Sequence, residues 1–334
     1  MRVNDSGDET GRAAPQFLFS DTKRSRTGLF ATCRIEQGGA FSIYLLEYIL
    51  TRTVIFVANL IPLSISYWIG KRLGDLSYYL MGKRRKVALS NISKAYGDSL
   101  TPDQKRKIAR RSFENVALSI VELFTIPKFL KSASKRFRFK GIENMEAAFA
   151  KGKGVIWVIS HLGSWEYLAF LPYLKHYSCS VVVKALKNPY VNQELIRFRK
   201  MTLNNPIAKK NAAKEILYEL KKNHLVSILI DQWAGGEGAW TTFFGQATST
   251  TSIPVRIAKK TGCALIPAYC IRKSPGQYEF DVKPAVPLRG DGETWEAETT
   301  QELNRLLEEE IRKYPEQWMW GHRRWKPKPH FLSQ

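Results

Sequence analysis

From about residue 150 onward, short and nearly continuous apolar runs take turns with longer stretches of helical character. No other feature of the chain narrows its fold as much. Gly154–Ser160 reads GVIWVIS, and Ser180–Leu186, Leu225–Ile230, Ala264–Ile271 and Tyr278–Val282 are runs of the same kind. A strand apolar at successive positions is buried on both faces, whereas a half-exposed strand alternates. Between these runs, Trp165–Leu174, Asn211–Lys222, Pro254–Thr261 and the acidic stretch Thr294–Lys313 read as helices. The alternation predicts an α/β fold with a mostly parallel central sheet flanked by helices. There is no internal repeat.

The upstream part is of a different character. Residues 1–40 are polar, mixed in charge and without periodicity, which predicts a polar tail. From Phe41 to Gly70 the only charges are Glu47 and Arg52, and Thr53–Gly70 is an uncharged run of 18 residues. As one helix that run would reach about 27 Å, near the ~30 Å of a bilayer's hydrocarbon. Asn59, Pro62, Ser64 and Ser66 interrupt it. A helix inserted part-way, or lying at the interface with Trp68, Tyr78 and Tyr79 at headgroup level, therefore fits as well as a crossing, and a buried core helix remains a third option. Three regions follow: a tail at 1–40, membrane-associated helices at 41–82, and an α/β domain at 83–330.

Charge bears on partners. With 52 Lys+Arg against 30 Asp+Glu, a formal +22, the chain suits a polyanion, either nucleic acid or anionic lipid. Lys83, Arg84, Arg85 and Lys86 follow the apolar segment directly, and Lys83–Lys140 carries 16 Lys/Arg against four acids. Each basic residue near an anionic surface contributes about 1 kcal/mol, and the bias places that side in the cytoplasm. No aromatic-rich RNA-binding signature accompanies these charges, so an anionic membrane surface is expected and nucleic acid is not. Within this block Asp103–Pro127 reads as a helix with Thr101 as its N-cap and Pro102 at its first position. The four cysteines (Cys33, Cys179, Cys263, Cys270) form no CxxC pair, which argues against a disulfide scaffold or a cysteine-built zinc site and for a reducing compartment. No signal peptide is expected.

Sites in open α/β sheets gather at the carboxyl ends of strands. Two such ends carry chemistry here: His161-Leu-Gly-Ser-Trp-Glu166 after the first strand and Asp231-Gln232 after the third. His176, His224 and His330 lie in ordinary polar surroundings. His161 ends a buried strand, Gly163 permits a tight turn, and Glu166 falls in the first turn of the next helix. The carboxylate would fold back to hold one ring nitrogen's proton and leave the other nitrogen as a base. The helix start would offer backbone N–H groups to an oxyanion. The same spacing also suits a capping carboxylate beside a satisfied histidine, and spacing alone does not separate the two. No GxSxG, GxxxxGK[ST], HExxH or CxxC pattern is present, so hydrolase, P-loop, zincin and redox readings lack support. A lone base suits deprotonating a hydroxyl that attacks an activated acyl donor such as a thioester, with no metal or cofactor required.

At these residues the chain resembles a known family. His161-x4-Glu166 after an apolar strand is similar to the HxxxxE/D motif of the lipid A biosynthesis acyltransferases, the lauroyl/myristoyl type within the glycerolipid acyltransferase superfamily. Further matches run in the family's order: Gly70-Lys-Arg-Leu-Gly74, Arg84-Arg85, Asn91-Ile92, Asn188-Pro189, Asp231-Gln232 with Gly235, Gly236 and Gly238, Phe243-Phe244-Gly245, Ile266-Pro267, Arg272, and Gln317-Trp-Met-Trp320-Gly-His-Arg323-Arg-Trp325-Lys326. The resemblance covers roughly residues 43–326. It implies that His161 deprotonates a lipid-linked hydroxyl and that Glu166 orients and charge-stabilises it. It further implies a substrate cleft shaped by Asp231, Gln232, Phe243, Phe244 and Gly245, with Gly163, Trp165, Lys184 and Asn188 beside it. In the segment 318–325, Arg323 and the tryptophans would clamp phosphate or pack the sheet edge. The implied donor is an acyl carrier protein or CoA thioester, used as co-substrate, and an acidic carrier would dock on the basic face. The implied acceptor is a lipid A precursor or another glycolipid or phospholipid, at the cytoplasmic face of a bacterial inner membrane. Lys184 stands where the family has Arg, and Ile253-Pro254 where it prefers Gly-Pro; both bear on the acceptor more than on the reaction. A non-catalytic lipid-binding protein with the same fold is the competing reading, against which the His161/Glu166 pair argues.

Overall fold

The computed structural model describes residues 38–326, apart from 131, 210 and 211. Nearly all of the predicted tail, together with Asn211 and His330, lies outside them. Helix α1, Gly38–Leu60, precedes α2, Leu63–Leu80, with the break at Ile61-Pro62. Proline lacks an N–H and disfavours the helical conformation of the residue before it. The uncharged run is thus split between two helices, and the apolar one begins earlier than that run suggested. Next come α3 (Gly82–Tyr96), α4 (Pro102–Phe124) and α5 (Ile126–Leu130). Thr101 and Gln104 form the full capping box at the start of α4, with Pro102 at its first position, in line with the sequence expectation.

Helices α2 and α4 pack closely. A Cβ on Gly74 would stand 2.4 Å from the Glu114 Cα, so the two backbones meet where only glycine fits. Helix α1 has two distinct faces. Along one, Arg52 reaches Glu194 at 2.9 Å, Glu47 accepts from Asn188 at 2.8 Å, and Asn59 donates to the Phe124 carbonyl at 2.8 Å. Along the other, Ile43, Leu46, Leu50, Val54, Phe56 and Leu60 are exposed. Among the described residues, Phe41–Leu60 is the one helical stretch long and apolar enough to cross a membrane.

The domain proper alternates as expected. Strand β1 (Phe137–Lys140) leads to α6 (Ile142–Phe149) and β2 (Val155–Ile159). A 3-10 turn at Trp165–Ala169 then runs into α7 (Phe170–Lys175), followed by β3 (Cys179–Val183) and α8 (Pro189–Met201). Strand β4 (Asn204–Ala208), α9 (Ala212–Lys221) and β5 (Leu225–Leu229) precede a hairpin of β6 (Ala239–Phe243) and β7 (Gln246–Thr250). The chain finishes with α10 (Ile253–Thr261), β8 (Ala264–Ser274), β9 (Gln277–Val282) and α11 (Trp295–Lys313). The sheet order is β1-β9-β8-β2-β5-β3-β4. The five strands from β8 to β4 are mutually parallel, while β9 runs antiparallel to β8 and β1 follows β9.

All five residues of β2 are buried, and their side chains alternate between two cores. Val155, Trp157 and Ile159 join Phe129, Tyr167 and Phe170 on one face; Ile156 and Val158 join Ile216, Val255 and Leu303 on the other. Such double burial explains why this strand reads as an unbroken apolar run. A third cluster holds Leu162, Phe243, Phe244, Trp318 and Trp320 together with Ile92 of α3 and Ile311 of α11. Leu162 belongs to the turn leaving β2, so this cluster lies where the β2 chain emerges from the sheet.

Candidate active site

Strands β2 and β5 are parallel neighbours in a register that pairs Ile159 with Leu229. Two residues on, His161 and Asp231 leave their strands side by side. The His161 Nδ1 lies 2.9 Å from Asp231 Oδ1, and the His161 amide donates to Oδ2 at 2.9 Å. The Trp318 indole N–H donates to the same Oδ2, also at 2.9 Å. Asp231 is buried and takes all three donors, so it serves as an ionised acceptor and the ring proton sits on Nδ1. Nε2 makes no hydrogen bond to the described residues, and the imidazole keeps 17% of its side-chain surface. The ring is therefore reachable rather than sealed in hydrocarbon, and the Trp165 ring meets it edge-on with centroids 5.3 Å apart.

The electrostatics follow from that geometry. Burial opposes a charged imidazolium at His161, but the Asp231 carboxylate outweighs it through charge and hydrogen bond, with Glu166 adding from further away. His161 consequently titrates above its ordinary 6.5. Burial would raise the Asp231 carboxyl, yet the imidazole, the His161 amide and the Trp318 indole draw it down to about 2.

The sequence expectation paired Glu166 with His161, and here the structure differs. Glu166 is engaged with Arg199 of α8 through two bonds, Arg199 Nη2 to Oε1 at 2.7 Å and Nε to Oε2 at 3.2 Å. The reason is local. Residues 165–169 form a 3-10 turn rather than an α-helix, which aims Glu166 at α8, while β5 delivers a carboxylate in register with the ring. Asp231, expected to shape the cleft, is the group that orients the His161 ring. The oxyanion expectation changes too, because the Gly163 and Ser164 amides already donate to the Gln317 and Cys270 carbonyls at 3.0 and 2.7 Å. Gly163 itself is required: its φ is +67°, and a Cβ there would stand 2.2 Å from the Cys270 carbonyl oxygen.

Other expected residues have different places. Phe244 and Gly245 occupy the two central positions of the β6–β7 hairpin, both with positive φ, as a type I′ turn requires. The Phe243 and Phe244 rings are buried against Trp318, Trp320 and Trp325, so they close the aromatic cluster instead of walling an open cleft. Asn188 caps α8 by accepting from Tyr190 and Val191, and its amide holds α1. Lys184 follows the end of β3. Gln232 is exposed, with its carbonyl held by Arg324 at 2.8 Å.

Arg323 points to solvent. Its neighbour Arg324 is fully buried and binds Ser249 and Thr250 of β7 and Asn304 of α11. Burial pulls the Arg324 guanidinium down to about 10, with the Asp231 charge working the other way. Two neighbouring arginines at 323 and 324 give no sequence signal as to which is buried. Arg199 was also missed, since α8 carries no apolar run; its last turn, Arg199-Lys200 ahead of Thr202, is a helix-end signature that could have pointed there.

The segment around Gln317–Met319 supports the His161 turn. Gln317 accepts from Gly163, Trp318 holds Asp231, and Met319 donates to the His161 carbonyl at 3.1 Å. Helices α3 and α4 hold that segment in turn: Asn91 donates to the Trp320 and His322 carbonyls, Ser112 to that of Trp318, and Asn115 to that of Gln317. Behind Asn115, Arg272 forms a buried two-bond pair with Glu122, at 2.5 and 2.7 Å.

A partly exposed histidine at the lip of a parallel sheet, its Nδ1 held by a buried aspartate, has the geometry expected of a general-base transfer enzyme. Comparison with known proteins makes that class an acyltransferase: residues 40–327 match the bacterial lipid A biosynthesis acyltransferase family, and the chain belongs to it. It is 25% identical over 277 residues to the lipid A biosynthesis palmitoleoyltransferase of Escherichia coli K12, across 80% of this chain and 87% of that one. The lauroyltransferase of the same organism is 24% identical over 282 residues, across 83% and 90%. A phosphatidylinositol mannoside acyltransferase of Mycobacterium tuberculosis H37Rv is 26% identical over 182 residues, across 53% and 56%.

Proposed function

We propose that this chain is a membrane-associated O-acyltransferase that moves a fatty acyl group from a thioester, on acyl carrier protein or CoA, to a hydroxyl of a lipid A precursor or related glycolipid. The observation that carries the reading is the His161–Asp231 pair with Nε2 facing outward. Asp231 holds the Nδ1 proton and keeps Nε2 as the acceptor. Nε2 takes the acceptor hydroxyl's proton as its oxygen attacks the thioester carbonyl, and Asp231 stabilises the imidazolium so formed. Collapse of the tetrahedral intermediate expels the thiolate, which takes the proton back from Nε2. Each turnover thus returns the base to its starting state, with no covalent enzyme intermediate and no metal. Glu166, next to Trp165 in the chain, adds negative charge near the ring, and its ion pair with Arg199 ties α8 to the turn.

The exposed apolar face of α1 and the basic block of α3 and α4 support a location at the cytoplasmic face of a bacterial inner membrane. The names of the relatives support a glycolipid acceptor. Purified protein in detergent, given labelled acyl donors and candidate acceptors, should yield an acylated lipid by mass spectrometry. His161→Ala should lower the rate by about 10²–10⁴-fold with folding unchanged. Near-wild-type turnover in that variant would overturn the assignment. Acylation of a mannosylated phosphatidylinositol but not of lipid A precursors would move the acceptor to the class named for the mycobacterial relative.

A further inference from the structure

Away from the His161 turn, helices α2, α3 and α4 form an open cavity of about 770 Å³ lined by seven basic residues and two acidic ones. No residue of the His161 turn or of the 317–325 segment borders it. Helix α4 stands between the two places. Its Ser112, Asn115 and Ser119 hold the active-site turn and the tail segment, while Lys107, Arg110, Arg111 and Glu114 face the cavity. The α2–α4 backbone contact at Gly74 packs two of the cavity's walls directly against each other.

Some of the positive charge is already matched: Asp75 binds Arg110 at 2.6 Å and Arg72 at 3.4 Å, and Glu114 faces Lys71 at 3.6 Å. Lys107 and Arg111 make no ion pair or hydrogen bond to the described residues, and both are exposed. Arg85 and Arg110 lie over the Tyr78 and Tyr79 rings at 5.5 and 6.0 Å, which holds these cations in place. Helix α2 presents Trp68, Leu73, Leu76 and Leu80 to solvent, and Met81 follows at its end.

We propose that this cavity binds the phosphate of an anionic phospholipid headgroup, as a second lipid site separate from the reaction centre. A concave cluster of cations, three of which (Arg85, Lys107 and Arg111) face no acidic partner among the described residues, recognises phosphate oxygens, and the adjoining apolar side chains suit acyl chains rather than an acidic protein surface. The proposal rests on reading the exposed faces of α1 and α2 as membrane-facing.

The test is sedimentation of the full chain with vesicles of phosphatidylcholine alone or mixed with phosphatidylglycerol. Lys107→Gln/Arg111→Gln should lose about 25-fold in affinity for the anionic vesicles, at about fivefold per basic residue. The control Lys214→Gln/Lys221→Gln on α9, which removes the same charge elsewhere, should lose less than threefold. Equal losses in the two variants would mean bulk charge and overturn the site. A cavity variant that sediments like wild type but loses affinity for acyl carrier protein would overturn it in favour of a protein dock. Inorganic phosphate bound by wild type and not by the variant, with vesicle affinity unchanged, would overturn the lipid assignment. His161→Ala should retain wild-type vesicle affinity, so failure of the headgroup site and failure of the acyl-transfer assignment are read separately.

Discussion

At the scale of single residues the chemistry depends on where one proton sits. His161 accepts a proton only when neutral, and its pKa is raised, so kcat/KM should fall as pH drops through a value above 6.5. Asp231→Asn removes the strongest raising influence and leaves burial opposed only by the Glu166 charge, so this acidic limb should move to lower pH. The maximal rate should drop by about 10³-fold or more, because an amide no longer selects the Nδ1 tautomer. Glu166→Gln removes only a distant charge, so its limb should move less than that of Asp231→Asn. A pH profile of kcat/KM between 5 and 9 for the three enzymes checks this ordering, and an equal or larger shift with Glu166→Gln would restore the pairing expected from sequence spacing. Asp231 has the opposite stability sign. Its folded pKa of about 2 stabilises the fold above the unfolded value of about 3.9, and that contribution is lost as pH falls between the two. Gly163→Ala needs a Cβ where the Cys270 carbonyl already stands. It should cost about 2 kcal/mol or more by chemical denaturation, with turnover reduced as well.

At the scale of elements, what matters is how one backbone approaches another. Gly74→Ala must push α2 away from the α4 main chain, for which no side-chain rotation compensates. A loss of about 1–3 kcal/mol is expected, read as a lowered Tm. Thr101→Ala removes one side of the capping box at an exposed helix start and should cost about 1 kcal/mol, leaving the packing intact. Element identity was legible wherever burial was two-sided. The runs around 155, 180, 225, 264 and 278 all became strands close to their expected bounds. Strand β4 was not legible, because NNPIA has no apolar run and carries a proline, which an edge position tolerates. Helix α8 and the β6–β7 hairpin were missed for a related reason. Their residues are chosen by contacts to α1, Glu166 and the tryptophan cluster rather than by a period along the chain.

At the scale of the whole molecule, the proposed membrane contact needs an apolar surface that the domain leaves uncovered. Helix α1 bonds to α8 and to the end of α4 along one side and exposes apolar residues along the other, an arrangement suited to lying on a surface with the domain beside it. Leu46→Gln, Leu50→Gln and Phe56→Gln together remove three exposed anchors worth about 2 kcal/mol each. That triple variant should leave the membrane fraction on cell fractionation while its Tm stays within a few degrees of wild type. A chain that still pellets with membranes would place the anchoring elsewhere.

The sequence by itself determined the sheet class, the position of His161 at the end of β2, the capped start of α4 and the apolar segment beside a basic block. Each of these is written in neighbouring letters, as a period, a cap or a run of one character. Only the tertiary structure decided which carboxylate serves His161, which of Arg323 and Arg324 is buried, and that Phe243 and Phe244 close a core. Those outcomes depend on strand order and register, which bring residue 231 beside residue 161 across seventy positions. Pairings between distant segments leave no local pattern to read, since the energy that selects them arises only when the sheet has formed.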